Sequence, residues 1–456
     1  MMNMLIKDKH SKNVIMESGT TKPQEPEVYR GQNDVYPAFS NAVSVKYNET
    51  EGRHAVAGSD VPIGKVLLTE RAYASFLLSE YSHSHCTNCF VRLVAPLPCP
   101  DCLRVAFCGE ICKTTALKSY HAIECSVLPA LFSADVSVPC LIALRIITQR
   151  PLKYFLDLRP KLLNHTQRPR NKHQPDNYVN LYNLVTHREK RSLEDILHRT
   201  HLAAFYLSCL KKTNYFAVDC NTGGQPTDDE LFIGCLLLHH LMLLQINAFE
   251  VGELGDDQDT VLIGGSIYPT LALLNHSCDP CIARYHRGTT VVIHNIRELR
   301  AGEAITENYG PMYMYHSKEE RQKTLKNSYW FECNCIACRQ DWPTWEQMKT
   351  DTSLRIRCIN CKNAIIVTTG SIAFAVQCTV CSKTTNLLPI LQALKGADNT
   401  FLVAKQLIGQ HNYEKALSKL IALLSLLHKH MVPPFKDYQL CQQGISQCIM
   451  TLGYKF

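Results

Sequence analysis

The sequence of 456 residues has a hydrophobic content of 46%, enough to fill the cores of the roughly two to four domains that this length suggests. This composition excludes a disordered scaffold. The 48 basic and 41 acidic residues give a net charge of +7, and the basic residues are dispersed except for a cluster between Arg168 and Arg191. Because a solvated loop explains that cluster, the charge argues against direct binding of nucleic acid.

Two features of the apolar residues argue against a membrane protein. The N-terminus lacks the charged and then apolar segments of a secretory signal. The longest apolar run, Leu231 to Ile246, is too short to cross a bilayer and is interrupted by His239 and His240. We therefore expect a soluble intracellular protein.

The first 80 residues divide into a polar stretch and a group of short strands. Residues 1–40 contain scattered Lys, Gln, Glu and Pro without an apolar period, which predicts a flexible tail. Turn residues such as Gly52 and Gly58 then separate three apolar or β-branched runs. The predicted strands are Ala42 to Tyr47, His54 to Ala57 and Val66 to Leu68.

The middle of the chain has helical periodicity on either side of a polar stretch around 159–177. The predicted helices include Val127 to Arg150 and Ser192 to Leu210. Thr227 and Glu230 then form a capping box ahead of the longest apolar run. Because that run is apolar nearly all round, we predict a helix buried in the core, with both of its histidines satisfied there.

From Thr260 onward the sequence returns to strand-like runs and then to helices. The predicted strands are Val261 to Ile263, Thr289 to Ile293 and Ala304 to Thr306. Ala404 to Leu407 and Ala416 to Leu427 have a period of 3.6 residues, which predicts a helical C-terminal segment. The run from Asn412 to Ala416 within it resembles a tetratricopeptide-type repeat.

Most of the 22 cysteines fall in C-x2-C or C-x-C pairs, a spacing that suits zinc chelation in a reducing compartment better than disulfide formation. The densest group supplies eight ligands within 40 residues, enough for two tetrahedral zinc ions. These ligands are Cys86, Cys89, Cys99, Cys102, Cys108, Cys112, His121 and Cys125. Spacing alone leaves open whether the two sites are sequential or interleaved.

Two further cysteine groups lie nearer the C-terminus. Cys333, Cys335 and Cys338 supply three ligands and leave one coordination position open. Two C-x2-C pairs separated by 16 residues are typical of a zinc ribbon. The ribbon ligands are Cys358, Cys361, Cys378 and Cys381. We expect one zinc ion in each of these groups.

Three short motifs, each weak alone, become specific when they are taken in order. They are Asn275-His276-Ser277-Cys278-Asp279-Pro280, Glu307-Asn308-Tyr309-Gly310 and Cys333-x-Cys335-x2-Cys338. Together they resemble the SET domain of protein-lysine methyltransferases, and the eight-ligand group resembles a MYND zinc finger. A finger inserted after N-terminal strands is similar to the arrangement in the SET and MYND domain-containing family.

Three features are most similar to the branch of this family called SET and MYND domain-containing protein 4. They are the extra zinc ribbon, Asn247-Ala248-Phe249 and Tyr309-Gly310-Pro311. The resemblance implies an α+β fold, in which a β-rich SET domain is split by a MYND zinc finger and a helical insert. A post-SET zinc site, a zinc ribbon and an α-helical C-terminal segment follow.

The resemblance also implies domain boundaries. They are 1–40 for the flexible tail, 41–80 for the N-terminal part of the SET domain, 81–126 for the finger, 127–250 for the helical insert, 251–331 for the C-terminal part of the SET domain, 332–353 for the post-SET segment, 354–385 for the ribbon and 386–456 for the helical segment.

The same resemblance assigns the metal ligands. The ligands of a MYND finger interleave between its two zinc ions. The implied sets are Cys86, Cys89, Cys108 and Cys112 for one ion, and Cys99, Cys102, His121 and Cys125 for the other. Cys278 is implied as the fourth ligand of the post-SET zinc.

The cofactor implied by the resemblance is S-adenosylmethionine, and Tyr309 is the implied catalytic residue. The implied cofactor site consists of Gly52, Arg53, Asn247, Asn275, His276, Tyr309, Tyr329 and Phe331. Gly52 permits close approach of the backbone, and the aromatic rings offer a flat apolar surface to an adenine. In the family, the tyrosine hydroxyl at the position of Tyr309 points into the lysine channel, where it orients an uncharged amine.

Two positions depart from the family pattern. His54 stands where the family usually has glycine, which weakens the expectation of tight cofactor binding. Cys281 stands where the family usually has asparagine. This cysteine either takes a ligand position in place of a neighbour or is a thiol that binds no metal.

The leading hypothesis is an S-adenosylmethionine-dependent protein-lysine N-methyltransferase of the cytoplasm and nucleus that acts on a target lysine of histone or non-histone proteins. The alternative is a catalytically weak SET-fold adaptor that recruits partner proteins through its finger. A proline-rich peptide or a transcriptional corepressor such as a histone deacetylase is the kind of partner that the family suggests. The finger either binds such a partner or only braces the domain.

Overall fold

The computed structural model of the protein describes residues 25–134, 136–163, 172–216, 225–255, 259–368 and 374–454. Residues 1–24 of the predicted tail, and residues 164–171 of the predicted polar stretch, lie outside these ranges.

Residues 25–40 do not form the flexible tail that the sequence predicts. Ala38 and Phe39 are buried in the core. The N–H of Tyr29 donates to the carbonyl of Val66 at 2.8 Å, and Phe39 forms a β-bridge with Leu68. Apolar anchors and backbone hydrogen bonds therefore order this segment in spite of its polar composition.

Three of the four N-terminal strands form where the turn residues predict strands, and the fourth, Ala74–Leu77, was not predicted. The four strands are β1 (Val43–Asn48), β2 (Gly52–Ala57), β3 (Val66–Arg71) and β4 (Ala74–Leu77). β1 and β2 form an antiparallel hairpin in which Asn48 lies opposite Gly52. Gly52 has a φ of +67°, in the left-handed region that glycine adopts readily.

The next part of the chain contains the cysteine-rich segment and a layer of helices. Its elements are β5 (Leu97–Pro98), β6 (Ala106–Phe107), α1 (Glu110–Leu117), α2 (Tyr120–Glu124), α3 (Leu128–Ser133), α4 (Val138–Thr148), α5 (Leu152–Leu163), α6 (Tyr178–Tyr182), α7 (Leu193–Lys211) and α8 (Asp228–Asn247). α8 begins with the predicted capping box, because the side chains of Thr227 and Glu230 each accept the backbone N–H of the other residue.

α8 is the one helix in the described ranges that is long and apolar enough to cross a membrane, with 20 residues and a mean hydropathy of 1.4. It extends beyond both ends of the apolar run. It packs against α4 and α7, and 56% of its most apolar window is buried. His240 Nε2 lies 2.8 Å from the Tyr178 hydroxyl, and His239 Nε2 lies 2.9 Å from the Tyr182 carbonyl. The prediction of a core helix is confirmed, and each histidine has a partner at Nε2, but the buried Nδ1 of His240 has no hydrogen-bond partner among the described residues.

The second group of strands completes the sheets begun before the finger. These strands are β7 (Ala248–Leu254), β8 (Thr260–Ile267), β9 (Asn275–His276), β10 (Ile282–Arg287), β11 (Thr290–Asn295) and β12 (Thr306–Glu307). One sheet has the order β10-β11-β3, another has the order β4-β8-β7, and β9 pairs in parallel with β12. The two larger sheets each combine a strand from before the finger with strands that follow the helical insert.

The C-terminal part contains helices around two small hairpins. Its elements are α9 (Lys318–Tyr329), α10 (Ile336–Arg339), α11 (Trp345–Thr350), β13 (Leu354–Arg357), β14 (Ala364–Val367), β15 (Ala375–Gln377), β16 (Thr384–Asn386), α12 (Leu388–Leu394), α13 (Ala397–Gly409), α14 (Tyr413–His430) and α15 (Lys436–Tyr454). α15 packs on α14 and on β10. Its Gly453 lies so close to the ring of Tyr285 that a Cβ would be 2.5 Å from the ring. The α+β fold class is confirmed.

Candidate active site and metal centres

Two short parallel strands bring together motifs that are about 30 residues apart in sequence. In the pairing of β9 with β12, Asn275 lies opposite Thr306 and His276 lies opposite Glu307. The N–H of Ser277 then donates to the carbonyl of Glu307 at 2.8 Å. This register places the residues that follow Glu307 beside His276.

The turn after β12 is held by an asparagine side chain. Asn308 Nδ2 donates to the carbonyls of Ser277 at 3.1 Å and Pro311 at 3.0 Å. The Asn308 Oδ1 accepts the N–H of Gly310 at 2.8 Å. Asn308 therefore fixes the turn that carries Tyr309.

Tyr309 is hydrogen bonded at both its backbone and its hydroxyl. Its N–H donates to His276 Nδ1 at 3.0 Å, and its hydroxyl donates to the carbonyl of Leu274 at 2.8 Å. Burial, with a smaller contribution from Tyr329, raises the pKa of the Tyr309 phenol well above its ordinary value. The hydroxyl therefore stays protonated, and its oxygen retains lone pairs that can accept a hydrogen bond.

His276 connects the tyrosine turn to a cysteine group. Because its Nδ1 accepts the N–H of Tyr309, this hydrogen bond assigns the ring proton to Nε2, which lies 3.3 Å from Cys278 Sγ. Burial lowers the pKa of His276 to about 4, so the ring is neutral near pH 7.

An aromatic wall surrounds Tyr309. The ring centroids of Tyr309 and Tyr329 are 5.0 Å apart, and those of His276 and Phe331 are 6.0 Å apart. The Tyr329 hydroxyl donates to the carbonyl of Tyr309 at 3.0 Å. The structure therefore brings four of the predicted site residues together.

The turn at Gly52 is joined to this wall through Asn275. Asn275 Nδ2 donates to the carbonyl of Glu51 at 2.8 Å. No atom lies within 4 Å of the position that a Cβ on Gly52 would occupy, so the backbone there is open. An open glycine backbone beside half-buried polar groups and flat rings fits a ligand with a nucleoside and a charged end, as in S-adenosylmethionine.

Two other predicted cofactor residues contact the segment that follows α6. Arg53 Nη2 donates to the carbonyl of Asn183 at 2.9 Å. Asn247 Nδ2 donates to the carbonyls of Val185 at 2.9 Å and Leu243 at 2.7 Å. These contacts place Arg53 and Asn247 together at the helical insert, and they engage the amide nitrogen of Asn247 with protein groups.

The eight ligands of the finger form two clusters with the interleaved pairing. The clusters are Cys86, Cys89, Cys108 and Cys112, and Cys99, Cys102, His121 and Cys125. All ligand atoms of a cluster lie within 4.8 Å of one another. The Sγ atoms of Cys108 and Cys112 are 3.5 Å apart, and those of Cys99 and Cys125 are 3.8 Å apart. Tetrahedral thiolates about 2.3 Å from zinc lie roughly 3.8 Å apart, so both clusters fit zinc.

The remaining predicted ligands form two more clusters of the same size. These clusters are Cys278, Cys333, Cys335 and Cys338, and Cys358, Cys361, Cys378 and Cys381. In the first, the Sγ atoms of Cys278 and Cys338 are 3.6 Å apart. In the second, which joins the two hairpins of the ribbon, the Sγ atoms of Cys358 and Cys381 are 3.6 Å apart. Both fit a tetrahedral zinc ion.

Comparisons with known proteins agree with this geometry. The family model of the MYND finger matches residues 86–125. "Protein-lysine N-methyltransferase SMYD4" of Mus musculus is 22% identical over 92% of this chain and 61% of its own length, and the Homo sapiens protein of that name is 25% identical over 76% and 53%. "N-lysine methyltransferase SMYD2" of Gallus gallus is 24% identical over 66% of this chain and 60% of its own length. The chain therefore contains a MYND finger and is similar over most of its length to proteins of the SET and MYND domain-containing family.

The SMYD4 proteins of Mus musculus and Homo sapiens match 92% and 76% of this chain, more than the 66% that SMYD2 of Gallus gallus matches. The chain spans about three fifths or less of the length of these curated relatives. A solved structure described as the SET domain of LSMT bound to lysine and AdoHcy aligns with 91% of this chain and 86% of that one, with 13% identity and a TM-score of 0.27.

The structure describes both positions that depart from the SET and MYND family pattern. His54 lies in β2 and is buried, with its Nδ1 3.1 Å from the carbonyl of Gly52. Cys281 belongs to none of the four clusters in the described ranges. Its Sγ accepts the N–H of Thr306 at 3.2 Å, so it packs beside the β9 and β12 pair.

Sequence reasoning missed a buried glutamate that contacts the segment leading into this site. Glu70 is the next-to-last residue of β3 and is 1% exposed, and its two carboxylate oxygens accept the N–H groups of Thr270 and Leu271 at 2.8 Å each. The short helical turn that begins there leads into Leu274 and Asn275. Glu70 lies in an ordinary strand and belongs to no motif, and its partners are about 200 residues away, so no local signal identified it.

Proposed function

We propose that this protein is an S-adenosylmethionine-dependent protein-lysine N-methyltransferase. The single observation that carries the proposal is the Tyr309 hydroxyl, held 2.8 Å from the Leu274 carbonyl within the aromatic wall and beside the open Gly52 turn. The relatives are named protein-lysine and N-lysine methyltransferases, which supports the same reaction.

The cofactor, when bound, supplies an electrophilic methyl group, and the protein has to present an uncharged amine to it. Apolar walls lower the pKa of a lysine that enters between them, so its ammonium releases a proton to water before the displacement. Tyr309 remains protonated because burial raises its pKa, so it does not act as a general base. Its oxygen accepts an N–H of the neutral amine and directs the nitrogen lone pair.

The residues around Tyr309 have separate roles in this proposal. Asn275 and the Gly52 turn bind the polar end of the cofactor. Tyr329 and Phe331 cover its adenine ring. His276 orients Tyr309 through the 3.0 Å hydrogen bond from the backbone. Arg53 and Asn247 line the side formed by the helical insert.

We further propose four zinc ions, one in each cluster. Two stabilise the finger, which is too small to fold around a core of its own. The ion on Cys278 ties the post-SET segment to the turn after His276, and the fourth joins the hairpins of the ribbon. The chemistry of the ligand sets supports this assignment, because four soft ligands at these separations suit a tetrahedral ion.

The proposed partner is a histone or non-histone protein that presents a target lysine, and the proposed locations are the cytoplasm and nucleus. A second candidate function is an adaptor that recruits a corepressor or a proline-rich peptide through the finger. Two observations favour it: His54 stands in the proposed cofactor turn, and Val94 and Ile111 of the finger are 94% and 78% exposed.

Transfer of a radiolabelled methyl group to a panel of purified proteins, with the wild type and Tyr309→Phe side by side, separates the two functions. The methyltransferase proposal expects label with the wild type and a large loss with the variant. An adaptor gives no label with either and retains its partners. Isothermal titration of the zinc-loaded protein provides a second test, because absence of cofactor binding to a folded sample at millimolar concentration contradicts the proposal.

A further inference from the structure

The last helix, α15, reaches the loops that form the proposed active site. Gln439 in its first turn is 2% exposed. Its Nε2 donates to Asp279 Oδ1 at 3.4 Å and to the hydroxyl of Tyr313. One side chain of the C-terminal segment therefore contacts both loops.

Each of these loops carries a part of the site. Asp279 follows Cys278 directly, and Tyr313 lies four residues after Tyr309. The loops are also joined to each other, since the N–H of Tyr313 donates to the carbonyl of Cys278 at 3.2 Å. Gln439 of α15 bridges the two loops, because its amide donates to a residue in each of them.

The rest of α15 is anchored so that Gln439 has a fixed position. At the far end of the helix, Arg287 Nε donates to the carbonyl of Gly453 at 3.2 Å. The hydroxyl of Tyr454 donates to the carbonyl of Gly252 at 3.1 Å. One turn after Gln439, Gln443 Nε2 lies 3.4 Å from the hydroxyl of Tyr315. The helix is therefore attached to the sheets at one end and to the tyrosine loop at the other.

The partners of Gln439 are buried, so loss of its hydrogen bonds is expected to disturb both loops. Asp279 is 7% exposed and Tyr313 is fully buried, so loss of Gln439 removes a donor from two polar groups that have little access to water. A polar group that is left buried without a partner destabilises its loop and favours a rearrangement of it. A shift of about 1 Å at Tyr309 is sufficient to impair methyl transfer.

From these contacts we infer that Gln439 is a positioning residue for Tyr309, through which the C-terminal helical segment holds the active-site loops in place. The inference about catalysis rests on the proposed methyltransferase function. The inference about loop position does not, because it can be measured without turnover.

The matched test compares Gln439→Leu with Gln442→Leu in the full chain. Gln442 is 4% exposed, lies on the same helix and donates to the hydroxyl of Tyr438 in that helix at 2.9 Å. Both variants remove one buried amide, so they are expected to lower the melting temperature by similar amounts. Gln439→Leu is expected to lower kcat about tenfold or more with little change in the KM for the cofactor, and Gln442→Leu to leave kcat within about twofold.

Hydrogen exchange gives the reading that does not depend on activity. Gln439→Leu is expected to speed exchange in peptides that cover 275–281 and 309–315, while Gln442→Leu leaves them unchanged. Equal exchange and equal kcat in the two variants overturn the positioning role. A wild type without methyl transfer contradicts the proposed function alone, and faster exchange only in Gln439→Leu then still supports the inferred loop contact.

Discussion

The Tyr309 hydroxyl donates to the backbone carbonyl of Leu274, 35 residues earlier, at 2.8 Å. The same Leu274 directly precedes the Asn275-His276 pair, whose His276 accepts the N–H of Tyr309. The two hydrogen bonds hold Tyr309 at its hydroxyl and at its backbone. They fix the direction of the hydroxyl before any amine arrives, which is the condition for an orienting group.

The first prediction concerns removal of that hydroxyl. Tyr309→Phe keeps the ring in the aromatic wall but leaves nothing to accept the amine N–H, so we expect kcat for methyl transfer to fall about 10²-fold or more. The free energy of unfolding should fall by only about 1 kcal/mol, because one hydrogen bond is lost. Steady-state assays with labelled cofactor and urea unfolding measure the two quantities.

Tyr120→Phe is the matched control for this change. Tyr120 is buried in the finger, and its hydroxyl has no hydrogen-bond partner among the described residues. We expect it to leave kcat within about twofold. If Tyr309→Phe also keeps full activity, the orienting role assigned to Tyr309 is wrong.

The second prediction concerns the pH dependence of stability. Burial raises the pKa of Glu70 from 4.5 to about 7, against the opposing effect of the N–H groups of Thr270 and Leu271. Because the folded state binds the proton more tightly, the contribution of Glu70 to stability is greatest below pH 4.5 and is lost as pH rises towards 7. The loss is on the order of 3 kcal/mol.

Glu70→Gln removes this ionisation. The variant should be less stable than the wild type at pH 5, since an amide has one acceptor for two N–H groups, and the difference should shrink by pH 7.5. Urea unfolding at the two pH values measures it. Glu414→Gln, at an exposed carboxylate, should give no such change. A difference for Glu70→Gln that grows with pH would falsify the raised pKa.

Much of the fold and most of the cysteine ligands follow from the sequence, because their signals are local or repeated; Cys278, 55 residues before Cys333, was assigned as a ligand only through the family resemblance. The capping box of Thr227 and Glu230 and the turn at Gly52 each depend on neighbouring residues. The interleaved pairing of the finger did not follow from spacing, which left two arrangements open, and it was implied by the family resemblance. The clusters formed by the structure agree with that implication.

Contacts between distant parts of the chain could not be predicted from the sequence. The order of residues 25–40 depends on Phe39 packing beside β3, and the polar composition gives no sign of it. The pairs formed by Glu70 with Thr270 and by Gln439 with Asp279 join residues 200 and 160 positions apart. Such contacts depend on how sheets and helices pack against each other. Hydrophobic periodicity predicts the helices and strands themselves but not their packing.

The third prediction concerns the metal content. We expect four zinc ions per chain by elemental mass spectrometry, and three in Cys335→Ser, because each of the four clusters offers four ligands to one ion. Cys335→Ser should also lose methyl transfer, since the post-SET ion fixes the turn after His276. Cys281→Ser is the control, as Cys281 is buried outside the clusters, and it should retain four. Loss of zinc from Cys281→Ser instead would show that Cys281 is a ligand.

The fourth prediction concerns the ion pair that joins the finger to the helical insert. Arg145 of α4 is 5% exposed and Glu124 of α2 is fully buried, and their two hydrogen bonds are 2.7 Å long. Arg145→Met leaves a carboxylate buried without its cation, so we expect the free energy of unfolding to fall by about 3–5 kcal/mol.

Lys153→Met is the control, because it breaks the exposed pair with Asp157, where the two side chains are 82% and 62% exposed. This change should lower the free energy of unfolding by about 0.5 kcal/mol or less. Chemical unfolding of the zinc-loaded proteins measures both. The carboxylate of Asp157 stays in contact with water when Lys153 is removed, whereas the carboxylate of Glu124 does not when Arg145 is removed. Similar losses of stability in the two variants would therefore contradict the view that Arg145 compensates a buried charge.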